Sequence, residues 1–158
     1  MLGLFKQMRL LGLLGSVALA GCGGDVDSQS STAPAQSLAQ RAGAPLFEGM
    51  GDYHMPITTA DSDAQRYFDQ GMVLAFGFNH AESIRSFRAA QTLDPTCAMC
   101  FWGEALATGP NINVTSNGKA IMAPTERASA RAAIDQALAL MDDVSPKEQD
   151  WIRALDQR

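Results

Sequence analysis

The side chains able to react or to bind a metal are few, with three cysteines and two histidines among 158 residues. Cys97 and Cys100 stand in a Cys-x-x-Cys spacing at the start of a predicted helix, where the helix N-terminus lowers the pKa of a thiol. Such a pair can be buried by packing or form a structural disulfide. It can also act as a redox pair in an oxidising compartment or supply two ligands to a metal. The residues alone leave these interpretations open.

The surrounding sequence favours packing or a structural disulfide for this pair. No βαβ pattern surrounds it, which excludes a thioredoxin domain, and Phe101 stands where c-type haem attachment requires His. A structural zinc site needs four ligands, and His54 and His80 lie far from the cysteines in sequence. No nucleophile with a neighbouring base, phosphate-binding glycine loop or paired-carboxylate motif stands out. We therefore expect no enzymatic activity, no metal and no cofactor.

The third cysteine, Cys22, follows an export signal. Lys6 and Arg9 precede an apolar run over residues 10–20, which is too short to cross a bilayer and ends in small residues. The sequence Leu-Ala-Gly-Cys at its end resembles the lipobox of bacterial lipoproteins. The resemblance implies that residues 1–21 are removed and that Cys22 becomes the acylated first residue of the mature protein.

The charge of the mature chain limits its partners. Removal of the signal leaves ten Lys and Arg against seventeen Asp and Glu, a net charge of about −7. This excess of negative charge argues against nucleic acid and against electrostatic docking on anionic lipid. We therefore expect the acyl chains to hold the protein on the membrane. Since Gly23 is not the acidic residue that usually retains Gram-negative lipoproteins in the inner membrane, the outer membrane is favoured, on its periplasmic face.

Three regions follow from the composition. Residues 1–21 are the signal peptide, and residues 22–45 form a flexible tether rich in Ser, Ala, Gln and Gly, with no aromatic residue. Residues 46–158 form a helical domain that opens with an irregular lead-in segment, residues 46–59. No alternating strand pattern appears in this domain, so we predict an all-α fold.

Cap signals and apolar periodicity predict five helices in this domain. The first begins at Ser62, with Gln65 completing a capping box, and the second begins after Asn79. The third runs from about Cys97 to Ala107. The fourth begins at about Pro124, and the fifth follows Ser145-Pro146.

The first two helices carry a repeat signature. Seven residues within 64–97 are spaced as in the repeat unit: Tyr67, Gly71, Leu74, Ser83, Phe87, Ala90 and Pro95. This spacing resembles the 34-residue tetratricopeptide (TPR) repeat. The resemblance implies that Gly71 and Ser83 are small where two helices cross, and that Tyr67 and Phe87 fill the layer between them. Three positions depart from the usual residues: Gln70 replaces Leu, Leu74 replaces Tyr and Ser83 replaces Ala.

A second unit begins in phase with Phe101 and Ala105, but its second helix is displaced by an insertion over residues 109–123. A fifth helix with Trp151, Ile152 and Leu155 has no predicted partner helix. A stack of such pairs needs about three repeats to bury a continuous core. We therefore expect either that the array is incomplete at its C-terminus or that a partner covers these three residues.

Residues 47–158 resemble the beginning of a group of exported bacterial TPR proteins. The shared runs are Gly-Phe-Asn-His, Cys-x-x-Cys-aromatic-Trp-Gly and Gly-Pro-Asn. The resemblance implies a right-handed superhelix, or solenoid, of antiparallel helix pairs. We expect a membrane-anchored scaffold whose concave face binds a peptide or another envelope protein. The alternative is a thiol-redox or metal-handling envelope protein that uses Cys97 and Cys100.

Overall fold

The fold is seen in a computed structural model that describes residues 36–158, apart from Ile112, Val114, Asn117 and Gly118. The predicted signal peptide, Cys22 and the tether up to residue 35 lie outside the described residues, and what was predicted for them stays a prediction. Among the described residues, no helix combines the length and apolar character that a membrane crossing requires.

Helices make up most of the described chain, and the mostly helical class predicted from the sequence is confirmed. Their bounds are Leu38–Ala42 (α1), Ser62–Phe76 (α2), His80–Leu93 (α3), Ala98–Thr108 (α4), Pro124–Leu140 (α5) and Pro146–Asp156 (α6). A 3-10 turn at Met141–Asp143 joins α5 to α6. The strands Thr115–Ser116 (β1) and Lys119–Ala120 (β2) pair antiparallel within the insertion, a short hairpin that the sequence analysis did not predict. The Asn-Gly dipeptide between them is typical of two-residue hairpin turns.

The helix starts follow their local cap signals, with one correction. Asn79 caps α3 by accepting a hydrogen bond from the Glu82 N–H, and Ser145 with Glu148 forms a capping box at α6. The predicted cap Ser62 is instead the first residue of α2, because the Asp61 carboxylate accepts hydrogen bonds from the N–H groups of residues 63 and 64. The carboxylate also lies favourably at the positive end of the helix dipole.

The core centres on Phe87 of α3, which is fully buried. Gly71 of α2 approaches this ring so closely that a Cβ atom added there would lie 2.7 Å from Phe87 Cε1. A Cβ atom on Gly103 of α4 would overlap the same ring. Three helices therefore meet at one aromatic side chain, and the two glycines provide the room for it.

The aromatic partner of Phe87 is Phe68, whose ring centroid lies 5.5 Å away in an edge-to-face arrangement. We expected Tyr67 to share this layer. Tyr67 is fully buried, but it belongs to a second cluster with Ala89 and Ala90. Its hydroxyl donates a 2.6 Å hydrogen bond to the carbonyl oxygen of Ala44, so the phenol fixes the chain that precedes the helices.

That contact moves the predicted boundary between tether and folded domain. Residues 38–42 form the short helix α1, which contacts α3, and Ala42 and Ala44 are buried in the second cluster. The small side chains of Ala42 and Ala44 allow this segment to approach the helices closely. The same small residues led to the prediction of a flexible tether. The folded part therefore includes at least residues 38–45, which the sequence analysis assigned to the tether.

The last helix is covered by the chain itself more fully than its sequence suggested. Ile152 is fully buried, and the Trp151 ring stacks against Trp102 with centroids 6.2 Å apart. The Trp102 indole N–H donates to the carbonyl oxygen of Trp151, and Lys147 lies over the Trp151 ring. Leu155 packs against the main core cluster. Within the described residues, α6 is thus bound to α4 by both apolar and polar contacts.

The close approach at Phe87 gives a stability test. We expect Gly71→Ala to lower the free energy of unfolding by about 1–3 kcal/mol, because the added methyl group forces the ring or α2 to move. Urea denaturation followed by circular dichroism measures the loss. In a Phe87→Leu background the same substitution should cost clearly less, since the narrower side chain leaves space. Equal costs in both backgrounds would show that the glycine is not required by this ring.

Candidate functional site

The lead-in segment, residues 46–59, lies along the helices in an irregular but well-bonded conformation. Between residues 55 and 59 it is held by side chains of α2, of α6 and of the end of α3. Met55 and Ile57 pack against the core cluster that contains Phe68 of α2 and Trp102 of α4. We call the surface of α2, α4 and α6 that receives residues 55–58 the segment groove.

The first half of the segment groove recognises backbone through two side chains of α2. The Gln65 amide donates from Nε2 to the carbonyl oxygen of Met55 at 2.9 Å and accepts at Oε1 from the N–H of Ile57 at 3.0 Å. Asp69 Oδ1 accepts from the N–H of Met55 at 3.1 Å. These bonds satisfy backbone groups that a neighbouring β-strand would otherwise pair. Because they contact peptide groups, they place few demands on the side chains of the bound segment.

Glu148 of α6 binds the other end of the same stretch. Its carboxylate accepts 2.6 Å hydrogen bonds from both the N–H and the hydroxyl group of Thr58, and it also accepts from Ser145. Burial disfavours the charged carboxylate, but the hydrogen bonds from Ser145 and Thr58 outweigh it and lower the pKa of Glu148. The group therefore stays ionised at neutral pH while only 3% exposed, and it attracts donors strongly.

A second buried carboxylate fixes the segment where it enters α2. Asp94, at the end of α3, accepts hydrogen bonds from the hydroxyl groups of Thr59 and Thr96. Burial raises the pKa of Asp94, but these hydrogen bonds outweigh burial and leave its pKa below the usual value. The lead-in segment is thus bound to residues far apart in the chain, with charge-assisted hydrogen bonds at its C-terminal end.

Gln70 explains one departure from the repeat pattern. This residue replaces the usual Leu and is only 5% exposed. Its amide accepts from the N–H of Phe47 and donates to the carbonyl oxygen of Pro45 and to Ser86. A leucine could fill the space but could not satisfy these polar groups. Gln70 therefore binds the chain around the start of the lead-in segment. Its polarity at a position that is apolar in the repeat is the feature of the sequence that could have indicated such a role.

The residues of the segment groove were not predicted from the sequence. Gln65 was assigned to a capping box, but its amide binds the lead-in backbone instead. Asp69 and Glu148 were not identified as binding residues. Glu148 also has a local role, as the acid of the capping box at the start of α6. Its contact with Thr58 spans 90 positions, which no local pattern can reveal.

Cys97 and Cys100 form a disulfide across the first turn of α4. Both residues are completely buried, packed in the second core cluster with Tyr67 and Ala90. Cys97 also caps the helix, since its sulfur accepts from the N–H of Cys100. A reductant or a partner thiol has to reach a sulfur atom to react, and here neither cysteine has exposed surface.

The two histidines lie in separate environments. His54 in the lead-in segment places Nδ1 2.8 Å from Asp69 Oδ2 and is solvent-exposed. His80 begins α3 beside the Phe78 ring, and its ring nitrogens are shielded without a hydrogen-bond partner among the described residues. Among all the residues that the structure describes, no three His, Cys, Asp or Glu side chains lie close enough together to hold a metal ion.

The shielding of the disulfide predicts its reactivity. In a soluble form that lacks Cys22, we expect a phosphine reductant followed by iodoacetamide to modify Cys97 and Cys100 slowly in native buffer. Modification should be complete once the protein is denatured in guanidinium, because unfolding exposes both sulfur atoms. Mass spectrometry counts the added groups. Rapid alkylation of the native protein, or exchange with a glutathione buffer, would instead favour a redox role.

Comparison of the chain with protein-family models, with curated proteins and with solved structures found no match. Any function assigned to it has to be argued from its own residues.

Proposed function

We propose that this chain is an exported, lipid-anchored scaffold that binds extended polypeptide segments in the bacterial cell envelope. The observation that carries the proposal is the set of hydrogen bonds that Gln65, Asp69 and Glu148 form with the backbone of residues 55–58, in which both carboxylates accept from N–H groups and the Gln65 amide both donates and accepts. A surface that binds one extended segment through its peptide groups has the chemistry to bind another. Binding by this scaffold requires no catalysis.

The helix arrangement supports the proposal that these helices are TPR-type pairs in a solenoid. Helices α2 and α3 form one contacting pair and α4 and α5 another, with α3 also against α4. Within the first pair, Gly71 meets Phe87, and the Ser83 hydroxyl donates to the carbonyl oxygen of Gly71. Ala90 is fully buried, Leu74 is half-buried and Pro95 follows the end of α3. In such a stack the first helices of each pair, here α2, α4 and α6, would line the concave face.

The position of the lead-in segment supports a peptide as the partner. It contacts α2 and α6, the two outer helices of that proposed face. Met55 and Ile57 supply apolar side chains at alternate positions, as expected when an extended chain turns one side toward a surface. We propose that a partner segment with apolar residues at the same alternation competes for these contacts.

The thiol-redox or metal-handling alternative gains no support from the described residues. The cysteines are buried in a disulfide, and the histidines lie apart from one another. We therefore retain the peptide-binding scaffold as the single proposed function.

An exchange experiment tests the segment groove. Thr58→Pro removes the N–H and the hydroxyl group that Glu148 binds, which should release the segment while leaving the helices folded. We expect a fluorescent peptide with the sequence of residues 52–60 to bind the soluble Thr58→Pro protein roughly tenfold more tightly than wild type, because wild type must first free its own segment. Fluorescence anisotropy measures both affinities.

Two controls make the exchange experiment specific. Adding Gln65→Ala to the Thr58→Pro protein should weaken binding, since two backbone hydrogen bonds are lost. Arg85→Ala, on the exposed part of α3, should leave binding unchanged. A scrambled peptide that binds equally well, or equal affinity of Thr58→Pro and wild type, would contradict the proposal. Circular dichroism establishes that each variant is folded.

The proposed anchor is tested separately. Cells that express the full chain should incorporate labelled palmitate into the protein, and Cys22→Ala should abolish the label, because the acyl groups depend on that thiol. The variant should remain at precursor size, because the signal is removed only after the thiol of Cys22 has been alkylated. Cys97→Ala together with Cys100→Ala is the matched control and should retain the label. Labelling that persists in Cys22→Ala would overturn the lipoprotein assignment.

A further inference from the structure

A cavity of about 480 Å3 opens between α4, α5, α6 and the insertion. Its walls are mostly apolar and come from all four parts of the chain, with Ala105, Ile134, Leu155 and Met122 as examples. No residue that forms the segment groove lines this cavity. Its volume lies within the range of sites for small organic molecules, which is about 300–1,000 Å3.

All but one of the charged side chains at the cavity carry a guanidinium group. Arg127, Arg131 and Arg158 line it together with Asp156. Arg131 is paired with Asp135 and Asp156, so its charge is compensated. Arg127 and Arg158 have no carboxylate within ion-pair distance in the described part of the chain, and Arg158 donates only to the carbonyl oxygen of Pro110. Two guanidinium groups without an ion-pair partner among the described side chains thus lie beside a mostly apolar pocket, in a protein whose net charge is −5.

We infer that this cavity binds a small amphipathic carboxylate, with its apolar body against Ile134 and Leu155 and its carboxylate paired with Arg127 and Arg158. A guanidinium group matches a carboxylate in geometry and charge, and it can bind both oxygen atoms at once. A neutral molecule of the same shape would gain the apolar contacts but leave both cations unpaired. A positively charged molecule would be repelled.

The inference is tested by titrating the soluble protein with octanoate, octan-1-ol and octylammonium, which share one alkyl chain and differ in charge. The chemical shifts of 13C-labelled Met and Ile methyl groups report binding at Met122 and Ile134. We expect octanoate to bind at least about tenfold more tightly than octan-1-ol, the equivalent of one or two charge-assisted hydrogen bonds. Octylammonium should show the weakest binding.

Substitutions locate the binding site. Arg127→Gln and Arg158→Gln should each weaken octanoate binding by roughly tenfold and leave octan-1-ol unaffected. Arg85→Gln, at an ion-paired position outside the cavity, is the charge control. Ala130→Leu should fill the cavity and abolish binding of all three probes, whereas Ala128→Leu makes the same change at an exposed position of α5.

Three outcomes would overturn the inference: equal affinity for octanoate and octan-1-ol, equal effects of Ala130→Leu and Ala128→Leu, or no saturable shift at millimolar octanoate. The cavity and the segment groove are tested independently. Thr58→Pro should not change octanoate binding, because Thr58 does not line the cavity. A failed peptide exchange would therefore leave this inference standing, and a failed titration would leave the peptide proposal standing.

Discussion

The fold depends on the space around one aromatic ring. Phe87 projects from α3 to a point where α2 and α4 have no side chains, at Gly71 and Gly103. Because a packed interior tolerates neither overlap nor voids, this contact restricts how far apart the three helices can lie. The remaining core side chains, among them Phe68 and Trp102, then pack at distances that this ring determines. The position of α6 follows in turn from Trp102.

Because the helices are held in place, polar side chains on them can bind a segment that is distant in sequence. Gln65 and Asp69 lie four residues apart on α2, so they project from one face and reach consecutive peptide groups of the lead-in segment. Glu148 is directed to the same segment from α6. Each side chain can bind backbone groups, and the packing of the helices against one another brings all three to the same stretch of chain.

Local signals in the sequence predicted the helices well because caps and apolar periodicity act within a few residues. Asn79 and Pro124 mark helix starts that the structure retains. The cap of α2 was wrongly assigned to Ser62 because Asp61 and Ser62 are both residue types that cap helices. The path of the chain before α2 determines which of them does so. Contacts between residues distant in sequence were not predictable: Tyr67 with Ala44, and Glu148 with Thr58, depend on where the irregular segment runs. Gln70 stood out by its polarity at an apolar repeat position, but the groups that its amide binds were not predicted either.

The lead-in segment is covalently joined to the helices that hold it, and this attachment changes what a competitor must achieve. A linked segment acts as though it were present at roughly millimolar concentration beside its own site. A free peptide with identical contacts would therefore displace the linked segment only near that concentration, and a dilute peptide would not bind measurably. Partners present at high local density, or bearing several such segments, would be selected. If the proposed peptide binding holds, residues 46–59 would therefore determine the partner concentration at which the site is filled, as well as completing the fold.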